Sequence, residues 1–204
     1  YASLTNVCEI YTLLSEYDKS FICIDNMEKE NPLDYYSYYL RGFVLENLQQ
    51  IDQAIYYYHK SISLNENHFD SYFKIGFINQ NINDSSCIYY YNEAFNIDSS
   101  NINLLYNIAK YYQDNFYFND AIKYYNKILI QDQFNENANY NLAYIYFSLK
   151  DYEQSANYAS EVIYSNNTNH FAYNIRFMCF KNLARLEEAI RDSLKCEELK
   201  KIKH

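Results

Sequence analysis

Apolar and small residues recur along this chain on two nested periods. Within each stretch of a dozen residues they fall three and four apart, the spacing of an amphipathic helix. Leu4, Val7, Cys8 and Tyr11 form one such set, and Tyr17, Ser20 and Ile24 the next. The longer period is 34 residues. One ladder runs Ser20, Ala54, Cys87, Ala121, Ser155, Ala189, with every step 34 except the 33 into Cys87. A second runs Cys8, Gly42, Gly76, Ala109, Ala143, Phe177 and is small on all rungs but the last. A small side chain is needed wherever two helices cross closely, because a large one would push the backbones apart. Two ladders in phase predict six helical hairpins, with breaks near 34/35, 68/69, 101/102, 135/136 and 169/170. The 33-residue step places a one-residue deletion in the turn Gln80–Ser86.

The clearest copy is Tyr35–His68, with Tyr35-Tyr36-Ser37-Tyr38, Arg41-Gly42 and Leu45 on one helix and Ala54, Tyr58 and Ser61 on the next. Tyr72-Phe73-Lys74-Ile75-Gly76, and Leu142-Ala143 followed by Tyr146, share the first-helix pattern. Ala54 with Tyr58, Cys87 with Tyr91 and Ala121 with Tyr125 share the second. This phase resembles the tetratricopeptide repeat. The resemblance covers 1–204 and implies an all-α fold, an α-solenoid. In that family the repeats form a right-handed superhelix, here of about six repeats and twelve antiparallel helices. A solenoid has no single core, since each repeat contacts only its neighbours, so we expect one solenoid domain over 1–204. Some residues depart from the pattern. Phe177 fills a small slot, Arg41 and Arg176 replace a leucine, and Ala159 and Ser193 stand where the second-helix aromatic belongs.

The junctions carry their own signals. Pro32 is the chain's single proline and is placed to open the second repeat. Later junctions use Asn65-Glu66-Asn67, Asp98-Ser99-Ser100-Asn101, Gln133-Phe134-Asn135 and Asn166-Asn167-Thr168, whose side chains can cap the helices that follow.

Composition narrows the class. Two glycines leave no flexible linker and no glycine-rich phosphate loop. Aromatics make up 20%, with 27 tyrosines, a bias that with the many Asn and Ile points to a low-GC genome. Five cysteines is an odd number, which argues against a closed disulfide framework. Cys8, Cys87 and Cys196 occupy small or apolar slots. The expectation is therefore five free thiols in a reducing, cytoplasmic compartment. Two glycosylation sequons, Asn83-Asp84-Ser85 and Asn166-Asn167-Thr168, sit in Asn-rich turns and read as accidental. No apolar run approaches the roughly 18 residues of a membrane span, so no membrane insertion is expected, and no signal peptide is visible. The chain opens at Tyr1 without Met and in phase with a repeat. The expectation is a segment of a longer protein, with any targeting segment outside it. The net charge of −9 is uneven. Residues 1–101 hold 14 acids and 5 bases, and residues 102–204 hold 12 of each. The basic run Lys195–Lys203 reads as a solvated terminal helix. An acidic first half would repel nucleic acid, so none is expected as a partner.

The resemblance also implies where a ligand would lie, on the first helix of each repeat. One such position reads Thr5, Tyr39, Phe73, Tyr106, Tyr140, Asn174, and another reads Glu9, Phe43, Phe77, Lys110, Tyr144, Met178. Seven of these twelve are aromatic, where 20% overall would give about two or three. They are either a peptide groove with aromatic walls or oversized inter-repeat packing. The candidate groove comprises Tyr39, Phe43, Phe73, Phe77, Tyr106, Asn107, Tyr140, Asn141 and Tyr144. Asn107 and Asn141 resemble the asparagine ladders by which some members of the family grip a peptide backbone. A partner for this surface is an extended segment or amphipathic helix with apolar anchors flanked by basic residues. The carboxylate clamp of chaperone-tail-binding members is absent. Lys110 and Asn141 are its nearest match, and they lead to Phe171 and Ile175 where bases are required.

No catalytic or metal-binding constellation and no cofactor motif emerges. His59, His68, His170 and His204 fall on unrelated faces, and Glu187-Glu188 and Glu197-Glu198 lie on a charged helix. The leading expectation is a non-catalytic protein-interaction scaffold within a multi-subunit assembly. Two alternatives stay open: a substrate-recruiting arm of an enzyme whose catalytic domain lies outside 1–204, and a unit that associates with copies of itself.

Overall fold

The computed structural model describes the backbone of residues 2–202 and the side chains of 4–201; Tyr1, Lys203 and His204 lie outside the described residues. Twelve α-helices follow in order: α1 Ala2–Leu13, α2 Tyr17–Glu30, α3 Tyr35–Asn47, α4 Ile51–Leu64, α5 Phe69–Asn81, α6 Cys87–Ile97, α7 Ile102–Asp114, α8 Phe118–Gln131, α9 Glu136–Ser148, α10 Tyr152–Ser165, α11 His170–Asn182 and α12 Leu186–Ile202. Among the described residues there is no strand. The fold is an all-α array of helical hairpins, each odd-numbered helix being the first of its pair. Two compact units divide it, residues 1–104 and 105–204.

In the first unit α1 packs on α2, α3 on α4 and α5 on α6, and neighbouring hairpins join through α2–α3, α4–α5 and α1–α3. Each hairpin is built around its small rungs. Ser20, Ala54 and Cys87 are essentially without solvent contact. Gly42 and Gly76 face the rings of Tyr58 and Tyr91 on the returning helix. A Cβ at Gly76 would sit 2.6 Å from Tyr91 Cδ1, and one at Gly42 would sit 2.8 Å from Tyr58 Cδ1. Both rings are fully buried, and their hydroxyls donate to the first helix, Tyr58 to Glu46 Oε2 at 2.5 Å and Tyr91 to Gln80 Oε1 at 2.6 Å.

The second unit repeats this device once. Tyr125 is fully buried and donates to Gln113 Oε1 at 2.8 Å, across from Ala109. The acceptor occupies one repeat position, Glu46, Gln80, Gln113. In the next repeat that position is Phe147, and the second helix carries Ala159 in place of tyrosine. Phe147 and Tyr152 pack against the cluster of Ala143, Ala156, Ala159, Ile175 and Cys179. Volume has moved from one helix to the other, which explains the missing aromatic.

The two arginines that break the leucine pattern are explained by ion pairs. Arg41 reaches Glu28 at 2.8 Å and Asp25 at 2.6 Å, and lies over the rings of Phe21 and Tyr57. Arg176 holds the buried Asp192 through two hydrogen bonds of 2.7 Å and donates to Ser160 Oγ at 3.0 Å.

The turns show what the pattern left out. Ser15, Gln49, Asn83, Phe116, Lys150 and Ala184, one per repeat between its two helices, all have φ between 57° and 64°. None is glycine. The deletion lies in Asp84–Ser86, after the positive-φ Asn83, and it shortens α6 to 11 residues against 14 in α2, α4, α8 and α10. Between hairpins, Asn101 and Asn135 accept from backbone N–H groups of the next helix as expected, Asp34 and Asn169 do so outside the expected junctions, and Asn65-Glu66-Asn67 leaves α5 to start after His68 without a side-chain cap. Pro32 does not open α3. It sits in the preceding turn, and its carbonyl accepts from Tyr38 Oη at 3.0 Å.

The expectation of five free thiols is wrong. Cys8 on α1 and Cys23 on α2 form a disulfide, with Cα atoms 5.5 Å apart. Antiparallel pairing brings residues 15 apart in sequence face to face at the hairpin crossing. Cys87, Cys179 and Cys196 are free and buried. The inference of a reducing compartment therefore loses its premise.

Candidate peptide-binding face

Within a first helix the predicted groove aromatics share a face, Tyr39 with Phe43, Phe73 with Phe77 and Tyr140 with Tyr144, because residues four apart do; Asn107 and Asn141, one residue after Tyr106 and Tyr140, are turned away from it. In the first unit Tyr39 is half-buried. Its ring lies 5.8 Å from Tyr58, 5.0 Å from His68 and 6.4 Å from Phe43, with which it is parallel. Phe73 is 6.2 Å from Tyr91 and stacks on Phe69 at 5.8 Å. Tyr39 and Phe73 thus form a layer over the buried tyrosines, and their inner faces belong to the hairpin packing. Phe43 and Phe77 lie further out, and Phe77 is 38% exposed. Lys74 Nζ sits 4.6 Å from the Phe43 ring and 3.1 Å from Glu46 Oε1.

The second unit has the same two layers. Tyr106 lies 6.0 Å from Tyr125, and Tyr140 packs on the cluster around Ala143. Tyr144 is 49% exposed. Lys110 pairs with Asp114 one turn along its own helix. Asn107 is half-buried. Asn141 is 8% exposed, and its Nδ2 donates to the Asn137 carbonyl at 2.8 Å, so this donor is engaged with its own helix.

The electrostatics follow the sequence. Residues 1–104 carry 14 acids and 5 bases. Burial pushes the Tyr39 phenol well above its ordinary value, and Asp70, Glu46 and Glu9 add to the shift. Tyr36 donates to Glu9, and burial followed by that bond raises its phenol too.

His68, which the sequence leaves on a face of its own, is brought into a polar cluster by the fold. His68 Nδ1 lies 2.8 Å from Ser71 Oγ and 3.3 Å from Ser61 Oγ, and Nε2 is 3.9 Å from Asp70 Oδ2. His68 is buried, packed against Tyr35, Tyr36 and Tyr39, and burial lowers its pKa. A neutral ring tied to two buried serines at the start of α5 is a packing element between hairpins. Elsewhere His59 pairs with Tyr90 and His170 stacks on Phe171. Among the described residues no group of three or more His, Cys, Asp or Glu side chains could hold a metal ion. No helix among them is long and apolar enough to cross a membrane.

Two models of the tetratricopeptide repeat match the chain, over residues 35–68 and 136–169. These are the second and fifth hairpins, and their first residues open α3 and α9. The chain carries tetratricopeptide repeats at these two hairpins. No curated protein matches it by direct comparison. Solved structures share its fold at low identity. MamA aligns with a TM-score of 0.74 at 17% identity, over 79% of this chain and 95% of that one. PilF of Pseudomonas aeruginosa aligns at 0.78 and 11%, over 97% and 90%. YrrB, described as a TPR protein with an unusual peptide-binding site, aligns at 0.76 and 13%, over 86% and 91%. Tetratricopeptide repeats generally mediate protein–protein contacts.

Proposed function

We propose that this chain is a non-catalytic scaffold that holds a peptide segment or helix of a partner protein against its first-helix face, within a multi-subunit assembly. The supporting observation is the outer layer of that face. Phe77 and Tyr144 expose 38% and 49% of their surface at equivalent repeat positions, where folding gains nothing from an aromatic ring in water. The inner layer supports them within each unit: Tyr39 and Phe73 in the first, and Tyr106 and Tyr140 in the second, are held by hairpin packing. Aromatic rings on a rigid base are what apolar anchors of a partner pack against at little entropic cost. The acidic charge of residues 1–104 favours a partner with basic residues flanking those anchors and speeds encounter at low salt.

The test is a selection of peptides displayed against the whole chain, followed by affinities for purified variants. Phe77→Ala and Tyr144→Ala are measured separately, since each lies in its own unit. Either should weaken a selected peptide about 30-fold, the equivalent of a 2 kcal/mol anchor, while the melting temperature stays put. Tyr89→Ala, exposed on the second-helix α6, is the control. Equal weakening by all three, or by none, would move the binding surface elsewhere.

A further inference from the structure

Between α1 and α3 lies a concavity of about 200 Å³ lined by Glu9, Leu13, Tyr36, Tyr39, Leu40 and Phe43. Its walls are three aromatic rings and its polar end is one carboxylate. Among the described residues Glu9 forms no ion pair, and its bond from Tyr36 uses Oε1. A half-buried carboxylate held beside aromatic faces, with no cation supplied by the chain, is matched by an ammonium or guanidinium group. That group would gain both the charge-assisted hydrogen bond and the attraction of the ring faces.

The chain holds a cation in a comparable setting one repeat on, with the acid at a different repeat position: Glu46 is the counterpart of Thr12, and Phe43 that of Glu9. Lys74 sits between the Phe43 ring, at 4.6 Å, and the Glu46 carboxylate, at 3.1 Å. The residue one repeat before Lys74 is Leu40. Where the third repeat reaches back with a lysine, the second reaches back with an aliphatic side chain, and Glu9 and the rings around it are left for an external cation. The surrounding charge has the right sign, since residues 1–104 carry 14 acids against 5 bases.

We infer that the pocket of Glu9, Tyr36, Tyr39 and Phe43 is a subsite for one lysine or arginine side chain of the bound partner. The aliphatic stem lies along Leu40 and the rings, and the charged head meets Glu9. This inference rests on the first-helix face being the binding face, and it adds to that reading a basic residue at a set place on the partner.

The probes are N-acetyl-lysine amide and N-acetyl-arginine amide, with N-acetyl-norleucine amide as the neutral control. They are titrated into the whole chain while the aromatic resonances are followed. The charged probes should shift Tyr36, Tyr39 and Phe43 saturably, and norleucine should not. Glu9→Gln keeps an acceptor for Tyr36 and should weaken the charged probes at least tenfold. Leu13→Lys places a lysine one turn from Glu9 at a position 74% exposed, where an i,i+4 pair can form. It should abolish probe binding with the melting temperature unchanged. Equal response to norleucine, no saturation, or unchanged affinity in both variants overturns the subsite. Loss of the probes from these variants while a displayed peptide still needs Phe77 separates this subsite from the wider face. If the probes bind normally but no peptide needs Phe77 or Tyr144, the wider reading fails and the subsite stands.

Discussion

Replacing Gly76 with alanine tests the close helix crossing on which the repeat is built. The new Cβ would lie 2.6 Å and 2.7 Å from Tyr91 Cδ1 and Cε1. Ordinary carbon contacts start near 3.5 Å, so the ring must retreat by roughly 0.8–1 Å. It has nowhere to go, being fully buried, bonded to Gln80 at 2.6 Å and packed on Phe73. Overpacking of this kind costs about 1–3 kcal/mol. Alanine gains about 1 kcal/mol over glycine within a helix, so the net loss should be about 1 kcal/mol. A double-mutant cycle isolates the clash. Tyr91→Ala alone should cost about 3–5 kcal/mol. In its background Gly76→Ala should instead stabilise by about 1 kcal/mol, because the pair then matches Ala143 and Ala159 of the fifth repeat. The coupling should be about 1–3 kcal/mol. The assay is urea unfolding followed by circular dichroism, with slopes compared so that one transition is measured throughout. If Gly76→Ala stabilised both backgrounds alike, with coupling under about 0.5 kcal/mol, the crossing would not be what keeps this position small.

Four further outcomes are expected. Reducing the Cys8–Cys23 disulfide, or replacing Cys23 with serine, should destabilise the first hairpin by about 3 kcal/mol, the loop-closure value for 15 residues; thermal melts with and without reductant measure it. Burial raises the Cys87 thiol to about 11, so alkylation of the native protein should leave it unlabelled, and labelling should follow only on unfolding; rapid labelling of the folded chain would refute it. The buried phenols of Tyr58, Tyr91 and Tyr125 are raised above 10, by burial first. The folded state then holds protons that the unfolded state releases. Stability is intact below pH 10 and falls above it by up to about 1.4 kcal/mol per pH unit for each ring. Melts from pH 9 to 11.5 should show this together with phenolate absorbance, and ionisation with no loss of stability would refute it. Finally, Ala184→Gly should stabilise by about 0.5–1 kcal/mol in denaturant titrations, since its φ of 58° strains any residue with a Cβ.

The sequence by itself determined the hairpins. Burial selects small residues where helices cross, and that demand recurs at every repeat, so Ser20, Ala54, Cys87, Ala121, Ser155 and Ala189 stand out without coordinates. The helix starts at Tyr35, Phe69, Ile102, Glu136 and His170 follow from the same period, helped by the caps at Asn101 and Asn135. The tyrosine acceptors Glu46, Gln80 and Gln113 were legible too, at one repeat spacing, but a polar residue at a helix end resembles a solvated one until its partner is known. The positive-φ turns left no trace, because serine, glutamine, asparagine, phenylalanine, lysine and alanine share no chemistry; tertiary packing imposes that backbone on whatever residue is there. The disulfide was hidden for a related reason. Cys8 and Cys23 each fit a helix-crossing slot, and only the antiparallel return of α2 shows that the two slots face each other. The candidate site divides the same way. Periodicity gave the aromatics equivalent positions on successive first helices, whereas which of them pack inward on Tyr58, Tyr91 and Tyr125 and which point to water, as Phe77 and Tyr144 do, depends on contacts between helices that no single helix encodes.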